Sequence, residues 1–92
     1  MYKKYPFIRI FISERLMGKK RTAIELETIE RVKKIRISRG YTQEALSFAL
    51  GFERTAINKF ERGIKSYNLN HLNALGKILK CSPREFLPED SL

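Results

Sequence analysis

The sequence predicts an all-α fold of five helices behind a basic N-terminal arm, and three observations carry that expectation. Apolar residues recur at 3- and 4-residue steps, as in Leu69, Leu72, Leu75 and Leu79, the spacing of a single helix face. Gly40, Gly51 and Gly63 punctuate the periodic segments, and glycine is the residue that most readily takes the left-handed conformation after a helix. Arg54 to Arg62 divides sharply by face. At about 100° per residue, Arg54, Thr55, Asn58, Lys59 and Arg62 share roughly 140° of arc while Ala56, Ile57 and Phe60 point the other way.

A chain of 92 residues with 42% hydrophobic content is long enough to bury a modest core as one domain. One cysteine excludes an internal disulfide, and a reducing, cytoplasmic setting is expected. One histidine and one cysteine leave any metal cage to carboxylates, and no such cluster stands out, so neither metal nor cofactor is expected. The formal charge of +9 and pI of about 10.0 favour nucleic acid or an anionic membrane surface as partner. No apolar run approaches the roughly 18 residues of a membrane span, so a membrane partner is not expected. The run Pro6 to Ile12 is interrupted by Arg9 and followed by Glu14 and Arg15, which does not make a signal peptide.

Residues 1–24 read as a unit apart from 25–92. Lys3, Lys4, Arg9, Arg15, Lys19, Lys20 and Arg21 stand against Glu14 alone. Phe7 to Ile12 is β-branched and aromatic and leans towards a short strand. A lone strand is unstable and needs a partner, such as the same segment of a second subunit; a poorly ordered arm tethered by one apolar patch is the competing reading. Lys19, Lys20 and Arg21 read equally as a segment that follows a DNA backbone and as a soluble basic linker. Met17-Gly18-Lys19-Lys20 also resembles an ordinary bacterial start, which would make residues 1–16 an upstream extension.

The first helix is expected over Glu25 to Arg39. Ile29, Val32, Ile35 and Arg36 lie on or beside one face, with acids early and bases late, as the helix dipole prefers. Thr42 is a good N-cap for the second helix, although Ala45 stands where a capping box needs Glu or Gln. Ala45, Leu46, Ala49 and Leu50 continue it to Gly51, and Phe52 offers an apolar plug. The third helix is expected from Glu53, a weak cap, through about 54–62. The fourth starts at Asn68 or Asn70, and Gly76 within it implies close backbone packing. Ser82-Pro83 opens a final turn, Arg84 to Leu87, before a polar tail.

Two short helices meeting at Gly51, the second with one packing and one cationic face, follow the logic of a helix-turn-helix, whose second helix lies in the DNA major groove. Across Ile29 to Leu87 the chain resembles the lambda-repressor/Cro-type (XRE) family. The landmarks are Arg36, Gly40-Tyr41-Thr42-Gln43-Glu44, Leu46, Leu50-Gly51, Ile57, Phe60-Glu61-Arg62-Gly63, the leucines at 69, 72, 75 and 79, and Phe86-Leu87. The resemblance implies a compact five-helix DNA-binding domain. It implies that Arg54, Thr55, Asn58 and Lys59 face base edges. Thr42 and Gln43, opening the second helix, and Arg62 and Lys65, flanking the third, match positions that grip phosphates. Arg36 and Glu61 match a structural salt bridge. Three departures stand out: Ser47 replaces a usual Ala and needs a hydroxyl partner, Glu53 replaces a Ser-like cap, and Gly76 stands where Ala is usual. Glu53 either accepts from cytosine N4 or tunes specificity by repulsion.

As an isolated cluster the four groove-facing residues would be an ordinary solvated helix face; the surrounding scaffold turns the reading to DNA. The expected function is sequence-specific binding of double-stranded DNA by a homodimeric regulator, most simply a repressor, on an inverted-repeat operator. The alternative is an antitoxin, with residues 1–24 engaging a small protein partner and the helix-turn-helix repressing the operon. A restriction–modification controller and a phage or mobile-element repressor share the same physics. No catalytic residue is assigned: Glu25, Glu27 and Glu30 lack a nucleophile or pocket, His71 lacks a second ligand, and Cys81 matches a small core position.

Overall fold

The computed structural model describes residues 21–92. The expected strand at Phe7 to Ile12, the bases from Lys3 to Lys20 and the question of Met17 lie outside the described residues. Among the described residues there are four α-helices and one 3-10 helix, and no strand.

Helix α1 spans Ala23–Ser38, opening two residues before the expected Glu25. The cause is a complete capping box: the Thr22 hydroxyl accepts the Glu25 N–H at 3.3 Å, and the Glu25 carboxylate accepts the Thr22 N–H at 2.8 Å, so two orphan donors are met reciprocally. The chain leaves α1 through Gly40 at φ +80, where the Tyr41 N–H donates back to the Arg36 carbonyl at 3.1 Å. Helix α2 spans Gln43–Ala49, capped by Thr42, whose hydroxyl accepts the Ala45 N–H. Helix α3 spans Ala56–Glu61, and α4 spans Leu69–Leu79, capped reciprocally by Asn68 and His71.

The expectation of five α-helices is corrected here to four. The fifth element is a single 3-10 turn, Pro83–Phe86, capped by the Ser82 hydroxyl. Pro88 follows it closely and holds Leu87 in extended backbone (φ −115, ψ 148), because a residue before proline is driven out of the helical region. Too few residues remain between the two prolines for an i→i−4 helix.

The core joins Val32, Leu46, Ile57, Leu75, Leu79 and Phe86, all at zero exposure, with Phe60 and Leu72 beside them. Burial of each such side chain contributes about 1.5–3 kcal/mol. Helix α2 packs on α3, α1 packs on α3 and the 3-10 turn, and α4 packs on that turn. Gly76 sits where a Cβ would meet the Cys81 carbonyl at 2.7 Å, so the close approach expected from its position is real and excludes a side chain. The Cys81 thiol, half-buried under this turn, is pushed up by desolvation.

Candidate nucleic-acid interface

Helix α3 is positioned by its buried side. Ala56, Ile57 and Phe60 are within 4% of full burial, which fixes the rotation of the helix and turns the opposite face outward. On that face Arg54 and Thr55 are exposed, and Asn58 and Lys59 are half-exposed. Arg62 and Lys65, also exposed, flank the helix exit at Gly63, φ +79.

The helix is shorter than the pattern implies. It starts at Ala56, not Glu53, so Arg54 and Thr55 lie in the turn before it. The Glu53 side chain causes this: its Oε1 accepts the Thr55 hydroxyl at 2.6 Å and the Thr55 N–H at 3.3 Å. Thr55 therefore takes the N-cap position with its hydroxyl spent and caps nothing. Ser47 takes over that duty from α2. Its fully buried hydroxyl accepts the Ile57 N–H at 3.0 Å and donates to the Gln43 carbonyl at 2.9 Å. The hydroxyl that lacks an obvious partner in the sequence thus satisfies one of the orphan donors at the start of α3 and ties the two helices together.

A second network braces the same junction from below. Arg36 donates through Nε to Glu61 Oε2 at 2.6 Å and through Nη2 to Oε1 at 3.2 Å, and its Nη1 reaches the Tyr41 carbonyl at 2.7 Å. The side chains are 10% and 4% exposed, so the pair is buried and bidentate, the geometry in which guanidinium and carboxylate match best. Gln43 extends it: Nε2 donates to Glu61 Oε1 at 2.8 Å, and Oε1 accepts from Asn58 Nδ2 at 3.1 Å. Gln43 and Asn58, two side chains expected to meet DNA, are thereby held by the structural pair beneath them.

Two cations on this face are held by acids. Lys59 Nζ lies 2.9 Å from Glu53 Oε2, and Arg54 Nη1 lies 3.3 Å from Glu44 Oε2. Hydrogen bonds from the Thr55 side chain first, then from Lys59, hold the Glu53 carboxyl down at about 2, so it is ionised across the working pH range. The exit loop has its own anchor, which the sequence does not reveal. Arg21 donates through Nε to the Gly63 carbonyl at 2.8 Å, through Nη2 to the Ile64 carbonyl at 2.9 Å, and through Nη1 to the Ser66 hydroxyl. Its guanidinium is committed to the chain itself, close to the loop that carries Lys65.

Behind α3, Phe60 stacks on Tyr67 with ring centroids 4.3 Å apart, and His71 meets Phe60 edge-on at 5.2 Å. His71 is therefore a packing and capping residue. Desolvation, then the nearby Lys65 charge, lowers its pKa, in keeping with an unprotonated Nδ1 that accepts the Asn68 N–H at 3.1 Å. Among the described residues no group of His, Cys, Asp and Glu could hold a metal ion, and no helix is long and apolar enough to cross a membrane.

A helix-turn-helix family model matches residues 32–86. The chain is 32% identical over 59 residues to the control protein C.BamHI of Bacillus amyloliquefaciens, covering 63% of this chain and 73% of that protein. It is similar to the restriction-modification controller protein C.AhdI from Aeromonas hydrophila, at 29% identity and TM-score 0.62 over 67% of this chain and 94% of that one. The P22 c2 repressor, in complex with a synthetic operator, matches at 35% identity and TM-score 0.59 over 68% and 96% of the two chains. The hypothetical transcription factor NHTF from Neisseria shares the fold at 20% identity, with TM-score 0.66 over 71% and 75%.

Proposed function

The chain belongs to the lambda-repressor/Cro-type (XRE) helix-turn-helix family, matched here across residues 32–86, and from that membership we propose a DNA-binding transcriptional regulator of the controller and repressor type. The observation that carries the reading is the division of α3 and the turn that opens it into two sides. Ile57 and Phe60 are buried while Arg54, Thr55 and Lys59 reach solvent on the other side. A rigidly anchored helix with an outward polar face is what entry into a major groove requires.

In this reading Arg54 offers a bidentate fork to guanine O6 and N7, Thr55 touches a base edge or a thymine methyl, Asn58 pairs with adenine, and Lys59 reaches guanine. Thr42, Gln43, Arg62 and Lys65 hold the phosphates on either side, which sets register without reading sequence. The protein acts as a homodimer, two copies placing α3 in successive major grooves of an inverted repeat roughly 34–36 Å apart. Likeness to C.AhdI and C.BamHI favours control of a restriction–modification operon over the antitoxin alternative, which depends on residues 1–24. Binding to the DNA upstream of its own gene tests the function. A protected inverted repeat, with affinity falling steeply as salt rises, is the expected result; no preference for that DNA over unrelated duplex would remove the assignment.

A further inference from the structure

Each of the four side chains assigned to base edges already has a partner within the chain, and for three of them that partner is an exposed carboxylate. Glu53 takes Thr55 on one oxygen and Lys59 on the other, and Glu44 takes Arg54. Glu44 and Glu53 are both 55% exposed, beside Arg54 at 68% and Lys59 at 38%. Pairs this open contribute little to folding. The ion pairs themselves therefore do not account for placing two acids on the face that must approach a polyanion.

We propose that Glu44 and Glu53 are specificity-determining residues, internal anions that occupy Arg54, Lys59 and Thr55 and so subtract from binding to arbitrary duplex DNA. The inference rests on the groove assignment above and concerns how that surface discriminates. On an unrelated sequence Arg54 and Lys59 can only exchange a carboxylate for a phosphate, one anion for another, while Glu44 and Glu53 are left facing phosphates unpaired. On the right sequence the exchange brings base-edge hydrogen bonds that arbitrary DNA does not supply. The carboxylate of Glu53 then has cytosine N4 or adenine N6 amino groups as acceptable neighbours and little else. Discrimination is a difference of affinities, and a repulsive element on the wrong partner widens it as effectively as an attractive one on the right partner.

The test uses the full chain with Glu44→Gln, Glu53→Gln and, as a control for net charge alone, Glu85→Gln. Glu85 is exposed on the 3-10 turn, which packs on α1 and α4. Two probes are used: a pool of randomised duplexes, and a duplex enriched from that pool by repeated selection with the wild type. Glu44→Gln and Glu53→Gln should each bind the pool about 3- to 10-fold tighter and steepen the salt slope by about 0.9 per protomer, as a freed cation displaces counterions. The affinity ratio of selected duplex to pool should fall by a similar factor, with Glu85→Gln near wild type. Variants that track Glu85→Gln, or that tighten both probes equally, overturn the proposal and leave the groove assignment standing. A wild type that binds neither probe removes the groove assignment, and this proposal with it.

Discussion

Replacing Ser47 with alanine returns the position to the residue usual in the family, yet the structure predicts that it destabilises this chain. The hydroxyl lies at zero exposure between α2 and α3 and accepts the Ile57 N–H at 3.0 Å. Ile57 is itself fully buried and is the second residue of α3, where no carbonyl of the same helix can serve. Thr55 cannot substitute, because its hydroxyl is bonded to Glu53. Alanine therefore strands a buried donor, at about 1–3 kcal/mol. For a domain of this size about 2 kcal/mol corresponds to a fall in Tm of roughly 8–16 °C. Thermal and urea unfolding followed by circular dichroism measure it, with Ser38→Ala as reference, since the Ser38 hydrogen bond is exposed and its removal should cost under about 0.5 kcal/mol. A Ser47→Ala variant as stable as the wild type, or more so, would refute the capping role and the account of how α3 is held.

Other consequences follow from the same geometry. Arg54→Ala should leave unfolding unchanged and relax preference at a single base pair by about 1–3 kcal/mol, read by competition with single-base variants of the operator. Lys65→Ala should weaken binding to every sequence alike and flatten the salt slope by about 0.9 for each phosphate it no longer neutralises; a change confined to one base pair would contradict the phosphate assignment. Glu61→Ala strands the Arg36 guanidinium in a site where it is 10% exposed and should cost about 3–5 kcal/mol in urea unfolding. His71 has a lowered folded-state pKa against the ordinary 6.5, so the unfolded chain binds the proton more readily. Its contribution to stability is complete above about 6.5 and is lost as pH falls below that value towards the folded pKa. Unfolding curves from about pH 7.5 down to about 5.5 should show this slope, and His71→Gln should flatten it.

Much of the scaffold is legible in the sequence because its signals are local and repeated. The leucines at 69, 72, 75 and 79 mark α4, and Gly40, Gly51 and Gly63 mark three turns that all have positive φ. The capping box at Thr22 and Glu25 stands in the sequence as Thr-x-x-Glu, but periodicity and charge order alone put the start of α1 at Glu25, two residues late. Other features depend on groups distant in sequence. Arg21 reaches the exit of α3 across 42 residues, and no periodicity encodes such a bond. The start of α3 is misplaced by pattern alone because a glutamate competes for the Thr55 N–H, a local hydrogen-bond choice that propensity does not resolve. The last helix is overcounted because its pattern is apolar enough for a helix while its two prolines allow only a 3-10 turn. On the candidate interface, charge and face are readable, but the pairing of Arg54 with Glu44 and of Lys59 with Glu53 requires the fold.

Entry of the outward face of α3 into the major groove is detected by methylation interference, because guanine N7 is open only in that groove. Prior methylation of an operator fragment with dimethyl sulfate should block binding at guanines in two clusters about one helical turn apart, and Arg54→Ala should remove the effect at one guanine per half-site. Binding indifferent to N7 methylation, or blocked only by changes in the minor groove, would put α3 outside the major groove.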